Sequence, residues 1–438
     1  MDNYSTLSLG EKIHEIRKAK GLSQENMAQA LNANRMTVSR LERGEVECSA
    51  QNLAIIRKFL DIEKAPLLEH ELALYRDRMQ VWIELLRTAR VAEARAMQEE
   101  MSVILDIPFE GGLYLLYLVT EALLLSMEYN VPATEEKLNV LEGLLDNASD
   151  EILNLYHLNK GFHNAVAGDY KNALKHSFKA VEYAEACNRS DDIALYNIGQ
   201  FYIALGKPYS AIIYFERAKA AFKGDLTNQR MSRLVQALAM CYLLIGETQK
   251  ANKLADLSLA QARSLNAKTR IAHALGIKGS VKYKMKMYEE CIAIYDQALE
   301  YYKPLREAYV SVLVGKAKCL FMMKNYSEFK NVLRHGESVL YGGNPDAVTT
   351  VLDNDIAVLL NATSHLMTLD NVDSINYIQD VAIPHLRAGG LSKFEALFYC
   401  NHLETHYTKK RAKTKANAIA AISRDIYREI YEGEIEFD

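Results

Sequence analysis

Two runs near the start of the chain, Gly21-Leu22-Ser23-Gln24-Glu25 and Asn34-Arg35-Met36-Thr37-Val38-Ser39-Arg40-Leu41-Glu42-Arg43-Gly44, open two short helices and close the second. Ser23 and Asn34 are helix-capping types, and Gly44 is a helix stop. Working outward, Ser8 with Glu11 predicts a capping box for a first helix that ends at Gly21, and Ser49 caps a fourth. Ile13, Ile16, Met27, Ala28, Leu31, Val38, Leu41, Leu53, Ile56 and Leu60 then fall on inward faces. What remains on the third helix, after Asn34 at its start, is Arg35, Met36, Thr37, Ser39, Arg40 and Arg43. Arginine offers paired donors to guanine, and Thr and Met offer apolar contact to a thymine methyl. Gln24, opening the second helix, is placed to donate to a phosphate. Such a helix pair suits a major groove and predicts a double-stranded DNA operator as partner. Arg17 and Glu42 sit beside inward apolar positions, so an internal ion pair is expected of them rather than DNA contact.

Residues 8 to 62 resemble the Cro/repressor helix-turn-helix class through Leu22-Ser23-Gln24-Glu25, Ala28 and Val38-Ser39-Arg40-Leu41-Glu42-Arg43-Gly44. The resemblance implies that Arg35, Met36 and Arg40 touch bases and that Gln24 touches phosphate.

The 438 residues exceed what a DNA reader needs, so further domains are expected. Hydrophobic residues make up 49% and charged residues 25%, with only 7 prolines, which suits an all-α fold. No apolar run approaches the roughly 18 residues of a membrane span, and the polar opening Met1-Asp2-Asn3-Tyr4-Ser5 is unlike an export leader. A cytoplasmic protein with no membrane partner is expected. The six cysteines, Cys48, Cys187, Cys241, Cys291, Cys319 and Cys400, form no C-x-x-C pair, so they read as reduced and packed, with no metal or cofactor. The net charge is -4, yet the first 68 residues hold ten Lys and Arg against nine Asp and Glu. A reader so nearly neutral gains phosphate affinity from dimerisation, and a homodimer or higher homo-oligomer is expected.

The larger part repeats. Ala173, Ala211, Ala251, Cys291 and Phe329 follow one another at steps of 38, 40, 40 and 38 residues, and Gly161, Gly199, Ala239, Gly279 and Ala317 precede them in register. Aromatic residues recur at Phe215 and Tyr295, and turns fall at Gly168-Asp169, Gly206-Lys207 and Gly246-Glu247, with Lys286 and Lys324 in the same slot. This is the pattern of paired antiparallel helices stacked into a solenoid: the small residue lets two helices cross closely and the aromatic fills the space beside it. From about 70 to 432 there is room for roughly nine such units.

These repeats resemble tetratricopeptide units, most clearly from 153 to 340. A Cro-type reader fused to such an array is similar to the RRNPP family of peptide pheromone receptors, and at this length to its NprR-like members. The resemblance implies an N-terminal helix-turn-helix bundle followed by a right-handed α-solenoid. It also implies a quorum-sensing regulator that binds a short linear signalling peptide in the concave groove and changes its oligomeric state or DNA affinity. Tyr196-Asn197-Ile198-Gly199 is similar to the inner-helix pattern whose Asn holds peptide backbone in this family, and Asn159 occupies the same slot as Asn197. A carboxamide suits that task because it donates and accepts at once. By register, Gln200, Arg233, Gln236, His273 and Ser280 fall on neighbouring inner slots. Lys160, Lys278 and Lys316 share the position immediately before the small residue, where they are placed either to pair a peptide carboxylate or to lay their stems on the helix.

The expected boundaries are 1–66 for the reader, 67–90 for a linker helix and the start of the solenoid, and 91–438 for the repeats. Pro66 marks the break, and Leu68, Leu72, Tyr75, Met79, Trp82 and Leu86 form an apolar stripe that packs on the first repeat or on a second subunit. His402 and His406 stand one helical turn apart, but the intervening Glu404 is misplaced for a zinc protease and a solvated helix face is expected. The basic run Lys409 to Lys415 reads as a solvated connection. No catalytic constellation is apparent, and a non-enzyme is expected. The alternative is a scaffold whose array captures a phosphorelay response regulator.

Overall fold

The computed structural model describes residues 8–62, 69–88, 90–106, 111–145, 148–222, 229–303, 305–342 and 351–431. The described residues form helices and turns with no strand, and the chain divides into two compact units, Met1–Asp191 and Asp192–Asp438. Among the described residues no helix is long and apolar enough to cross a membrane.

The reader comprises α1 (Leu9–Ala19), α2 (Gln24–Ala30), α3 (Arg35–Glu42) and α4 (Ala50–Phe59). Each begins as the sequence predicts. Ser8 and Ser23 form capping boxes with Glu11 and Asn26, and the Asn34 and Ser49 side chains accept the amides of Thr37 and Asn52. Each cap satisfies an amide the helix itself leaves unbonded, and is worth about 1 kcal/mol. Ile13, Ile16, Met27, Ala28, Val38, Leu41, Ile56 and Leu60 make the core. At Gly10, α1 crosses α3 so closely that a Cβ would lie 1.9 Å from the Leu41 carbonyl oxygen.

The first unit continues with three helix pairs: α5 (Glu69–Arg87) with α6 (Val91–Met101), α7 (Gly111–Met127) with α8 (Val131–Glu142), and α9 (Asp150–Val166) with α10 (Tyr170–Ala186). The apolar stripe on α5 packs on the first repeats: Leu72, Met79, Trp82 and Leu86 are buried, and the Trp82 ring lies 5.3 Å from Tyr117 of α7. Pro66 and Leu68 lie outside the described residues.

The second unit holds α11 (Asp192–Ala204) with α12 (Pro208–Ala221), α13 (Gln229–Leu244) with α14 (Thr248–Ser264), α15 (Lys268–Lys284) with α16 (Tyr288–Tyr302), and α17 (Arg306–Met322) with α18 (Tyr326–Tyr341). Next come α19 (Val351–His365), a helical run from α20 (Val372–Asn376) through a π turn (Tyr377–Ala382) into α21 (Ile383–Ala388), and finally α22 (Ser392–Lys409) with α23 (Lys413–Tyr431). The predicted crossings are present. A Cβ on Gly199 would fall 2.5 Å from the Phe215 ring, and one on Gly279 would fall 2.3 Å from the Tyr295 ring, so each aromatic occupies the space its glycine leaves. The turn slot is left-handed throughout: φ is +80° at Gly168, +73° at Gly206, +85° at Gly246, +60° at Lys286 and +62° at Lys324.

Candidate functional site

Two surfaces emerge, one in each unit. On the reader, Arg35, Met36, Thr37, Arg40 and Arg43 are exposed along α3 and Ser39 is half-buried. Met36 is 72% exposed, so it takes no part in the core under α3. Asn34 and Thr37 are tied to each other: the Asn34 Oδ1 accepts from the Thr37 amide at 2.8 Å and from its hydroxyl at 2.9 Å, so their first role is the helix start. Glu45 pairs with Arg40 at 3.5 Å and Arg43 at 3.2 Å, and Arg43 Nε also donates to the Ser39 carbonyl. All these groups are half-exposed, so each pair is worth less than about 1 kcal/mol and yields readily to a stronger anion.

Beneath this face lies a buried polar node. Arg17 Nε donates to Glu42 Oε1 at 2.5 Å and its Nη2 donates to Glu42 Oε2 at 3.0 Å, forming the internal pair expected of them. Arg17 also donates to the Leu22 carbonyl, which joins α1 to the start of the helix-turn-helix. Gln24, expected to reach phosphate, donates one amide hydrogen to Glu42 Oε2 at 2.8 Å, and its Oε1 accepts from Arg35 Nε at 3.4 Å. Gln24 thus links the node to the exposed face, and one amide hydrogen is already engaged by Glu42. Burial pushes the Glu42 carboxyl up, but hydrogen bonds from Arg17, Gln24 and His14 outweigh it and hold the group below its ordinary value.

In the second unit the first helices of successive pairs, α11, α13 and α15, lie side by side. Tyr196, Asn197, Gln200, Gln236 and Ser280 are half-buried, and Arg233 and His273 are exposed. The Tyr196 ring packs 5.6 Å from Phe215, and its hydroxyl accepts from Gln200 Nε2 at 2.6 Å. Burial raises the Tyr196 phenol, against the charge of Arg233, the Gln200 hydrogen bond and the charge of Arg270. His273 bonds through Nδ1 to the Tyr302 hydroxyl at 2.8 Å, and burial lowers its pKa.

Three sequence expectations are corrected. Asn159 is fully buried: its Oδ1 accepts from the Ser126 hydroxyl at 2.7 Å and its Nδ2 donates to the Val119 carbonyl, so its amide ties α9 to α7 and burial closes it to a peptide. Lys278 pairs with Asp256 at 2.6 Å and Lys316 with Asp296 at 2.6 Å, each on the second helix of the preceding pair, as Lys160 does with Glu142. The position before the small residue therefore faces backward along the stack, away from the groove. Two residues were missed. Arg270, half-buried one turn before His273, belongs to the inner face, and the three-residue step was the available signal. Lys318 occupies the slot of Gln200 and Ser280 but is buried against α22, paired with Glu395 and lying 4.4 Å over the Phe398 ring, so α22 covers α17 there. His402 is likewise packed edge-on against Phe321 and Phe398, and burial with the charges of Lys318 and Lys409 pulls it down to about 4. It is an aromatic-cluster residue and not the solvated face expected.

A helix-turn-helix family model matches residues 13–67, and a tetratricopeptide repeat model matches 193–221 and 272–304. The chain joins a helix-turn-helix domain to tetratricopeptide repeats. No curated protein was found to match the sequence. Among solved structures it is similar to a Rap protein complexed with competence and sporulation factor, at 15% identity over 82% of this chain and 98% of that one, with a TM-score of 0.66. It is similar to NprR in complex with its cognate peptide NprX, at 18% identity over 83% and 99% with a TM-score of 0.63. The apo form of the quorum sensor NprR from B. thuringiensis is similar at 19% identity over 80% and 98%, with a TM-score of 0.66. The resemblance read from the sequence thus holds at the level of the fold, an all-α reader followed by an α-solenoid.

Proposed function

We propose that this protein is a peptide-gated transcription regulator of the RRNPP type, acting as a receptor and not as an enzyme, in the cytoplasm and as a homo-oligomer. The helix-turn-helix reads an operator through Arg35, Met36 and Arg40, and the concave face of the second unit binds an extended peptide. The observation that carries the reading is the pairing, on one chain, of a helix-turn-helix whose α3 exposes Arg35, Met36 and Arg40 with repeat helices that present Tyr196, Asn197, Gln200, Arg233, Gln236 and His273. Core packing gives no reason for so polar an inner face, whereas a main-chain ligand needs donors and acceptors in a row. The likeness in fold to NprR, whose structure with a cognate peptide is known, supports the same reading.

The test titrates short synthetic peptides encoded near the gene into the full chain by calorimetry and repeats the operator binding with and without them. Asn197→Ala is expected to weaken peptide binding about tenfold or more, because each lost main-chain hydrogen bond leaves a partner unpaired. Linkage then requires the peptide's effect on operator affinity to weaken in step. If no peptide alters operator binding, the proposal fails.

A further inference from the structure

Two sulfurs in the second unit stand closer than packing asks. Cys291 of α16 and Cys319 of α17 are both fully buried, and their Sγ atoms lie 3.0 Å apart, about 1 Å more than a disulfide bond. Cys319 donates its S–H to Cys291, whose own S–H goes to the Gly279 carbonyl at 3.1 Å. Both are thiols. The slots themselves call for no sulfur: Ala173, Ala211 and Ala251 hold the position of Cys291 in earlier repeats, and Val281 holds that of Cys319 on α15.

The pair sits where two helices end. The Cys291 amide makes a first-turn bond to the Met287 carbonyl, and the Cys319 carbonyl takes the closing bond of α17 from the Met323 amide. Each sulfur is thus covered by a terminal turn, and beside that of α17 Met322 and Met323 are exposed. Helix ends open locally at far lower free energy than the fold as a whole, so a small uncharged oxidant reaches the sulfurs without global unfolding. Between openings, the hydrogen bond to Cys291 and burial keep the Cys319 thiol protonated and slow to react.

We propose that Cys291 and Cys319 form a redox modification site, which hydrogen peroxide closes into a disulfide between α16 and α17 and a small dithiol reopens. One sulfur attacks a peroxide oxygen and the O–O bond breaks, leaving a sulfenic acid and releasing one water. The second sulfur then displaces the sulfenic oxygen, which departs with the remaining thiol proton as a second water. Two thiols and one hydrogen peroxide thereby become one disulfide and two waters. In a reducing compartment such a bond is transient and reports oxidation. It ties the second helix of one repeat to the first helix of the next, a junction otherwise held by stacking alone. Neither the peptide nor the operator enters this chemistry.

The test treats the full chain with hydrogen peroxide under native conditions, alkylates the remaining thiols in denaturant, and reads tryptic peptides by mass spectrometry without reductant. Trypsin cuts between the two cysteines at Arg306, Lys316 and Lys318, so a closed pair appears as two peptides joined with the loss of two hydrogens. That product is expected to be the main disulfide and to vanish with dithiothreitol. Amide exchange in the first turn of α16 and the last turn of α17 should slow about tenfold or more in the closed form. Peroxide-treated Cys291→Ala should show no such slowing, which also separates the effect from methionine oxidation; Cys319→Val serves in its place should Cys291→Ala unfold. If Cys48 and Cys187 are oxidised while Cys291 and Cys319 stay open to alkylation, the pair is packing only and the site is wrong. A linked product that leaves the exchange of both turns unchanged would mean that the bond formed in an unfolded fraction, and it would equally overturn a native site.

Discussion

Gly390 lies against Ala204 with no room for a side chain: a Cβ on Gly390 would stand 1.5 Å from the Ala204 carbonyl oxygen. In return, a Cβ on Gly206 would lie 2.6 Å from the Gly390 carbonyl oxygen. The last helices of the second unit therefore come back to its first pair, and polar groups fasten the contact. Lys207 Nζ donates to the Glu429 main-chain carbonyl at 2.5 Å, while the Glu429 carboxylate accepts from Arg387 at 2.6 Å and pairs with Lys393 at 3.1 Å. Burial pushes the Glu429 carboxyl up, but Arg387 and Lys393 outweigh it and hold the group low. Gly390→Ala must push two backbones apart, and overpacking of this kind costs about 1–3 kcal/mol or more. The full chain carrying it should melt several degrees lower, and an unchanged melting temperature would show that the contact is loose.

The node under the reader predicts both a mutational and a pH effect. Breaking the Arg17 and Glu42 pair by Glu42→Ala leaves a buried guanidinium uncompensated, at a cost of about 3–5 kcal/mol. Glu42 is held below its ordinary value of 4.5, so its stabilisation is complete above that value and is lost as pH falls through the lowered folded value. Amide exchange of α1 and α3 in the full chain should accelerate in the variant at neutral pH and in the parent only on acidification. Equal protection in parent and variant at neutral pH would mean that the pair contributes nothing.

His157 and His176 face each other with Nδ1 atoms 2.9 Å apart, and Tyr183 stacks on His157. Burial, then neighbouring positive charge, pulls both from the usual 6.5 down to about 4, so both rings are neutral when folded at mild acidity. The unfolded chain takes up protons from about pH 6.5 downward while the folded one does not. Stability should therefore fall between pH 6.5 and about 4, by up to about 1.4 kcal/mol per pH unit for each ring. In His176→Gln part of that slope should vanish, which a series of urea melts against pH would reveal; parallel curves for parent and variant would exclude the pair as the source.

What the sequence disclosed follows from how local each cause is. Caps at Ser8, Ser23, Asn34 and Ser49 act within three residues, and the Gly199 and Gly279 crossings recur with the repeat, so both were legible. Arg17 and Glu42 were legible because each flanks an apolar inward position on a short helix. Asn159 was not, since its partners Ser126 and Val119 sit on another helix pair and nothing at residue 159 distinguishes it from the same slot at Asn197. Lys278 and Lys316 misled for the same reason: the carboxylates that claim them belong to the preceding pair. The Gly206 and Gly390 contact depends on the curvature of the whole unit, which no local pattern encodes.

The left-handed turn slot gives a stabilising prediction. Gly fills it at 168, 206 and 246, but Lys324 adopts φ +62° there and is exposed. A non-glycine residue in that region is strained by about 1–2 kcal/mol, partly offset by the lower entropy it has when unfolded. Lys324→Gly should therefore stabilise the chain by about 0.5–1 kcal/mol. A lower melting temperature would indicate that Lys324 makes compensating contacts.

Arg40 and Glu45 together test how the reader divides specificity from affinity. Arg40 is exposed on α3, and Glu45 pairs with it at 3.5 Å. If Arg40 reads a base, Arg40→Ala should cost about 1–3 kcal/mol on an operator selected from random DNA by the full chain, and little on unselected DNA. Glu45→Gln removes a negative charge and frees Arg40 and Arg43 from weak pairs, so it should strengthen binding to both kinds of DNA by a similar factor, less at high salt. The two substitutions thus move different quantities: the ratio of specific to unselected affinity for Arg40, and the common level for Glu45. Electrophoretic shifts at two salt concentrations separate them. Equal losses on both DNAs for Arg40→Ala would place that side chain on the phosphate backbone, and the base reading would pass to Arg35 and Met36.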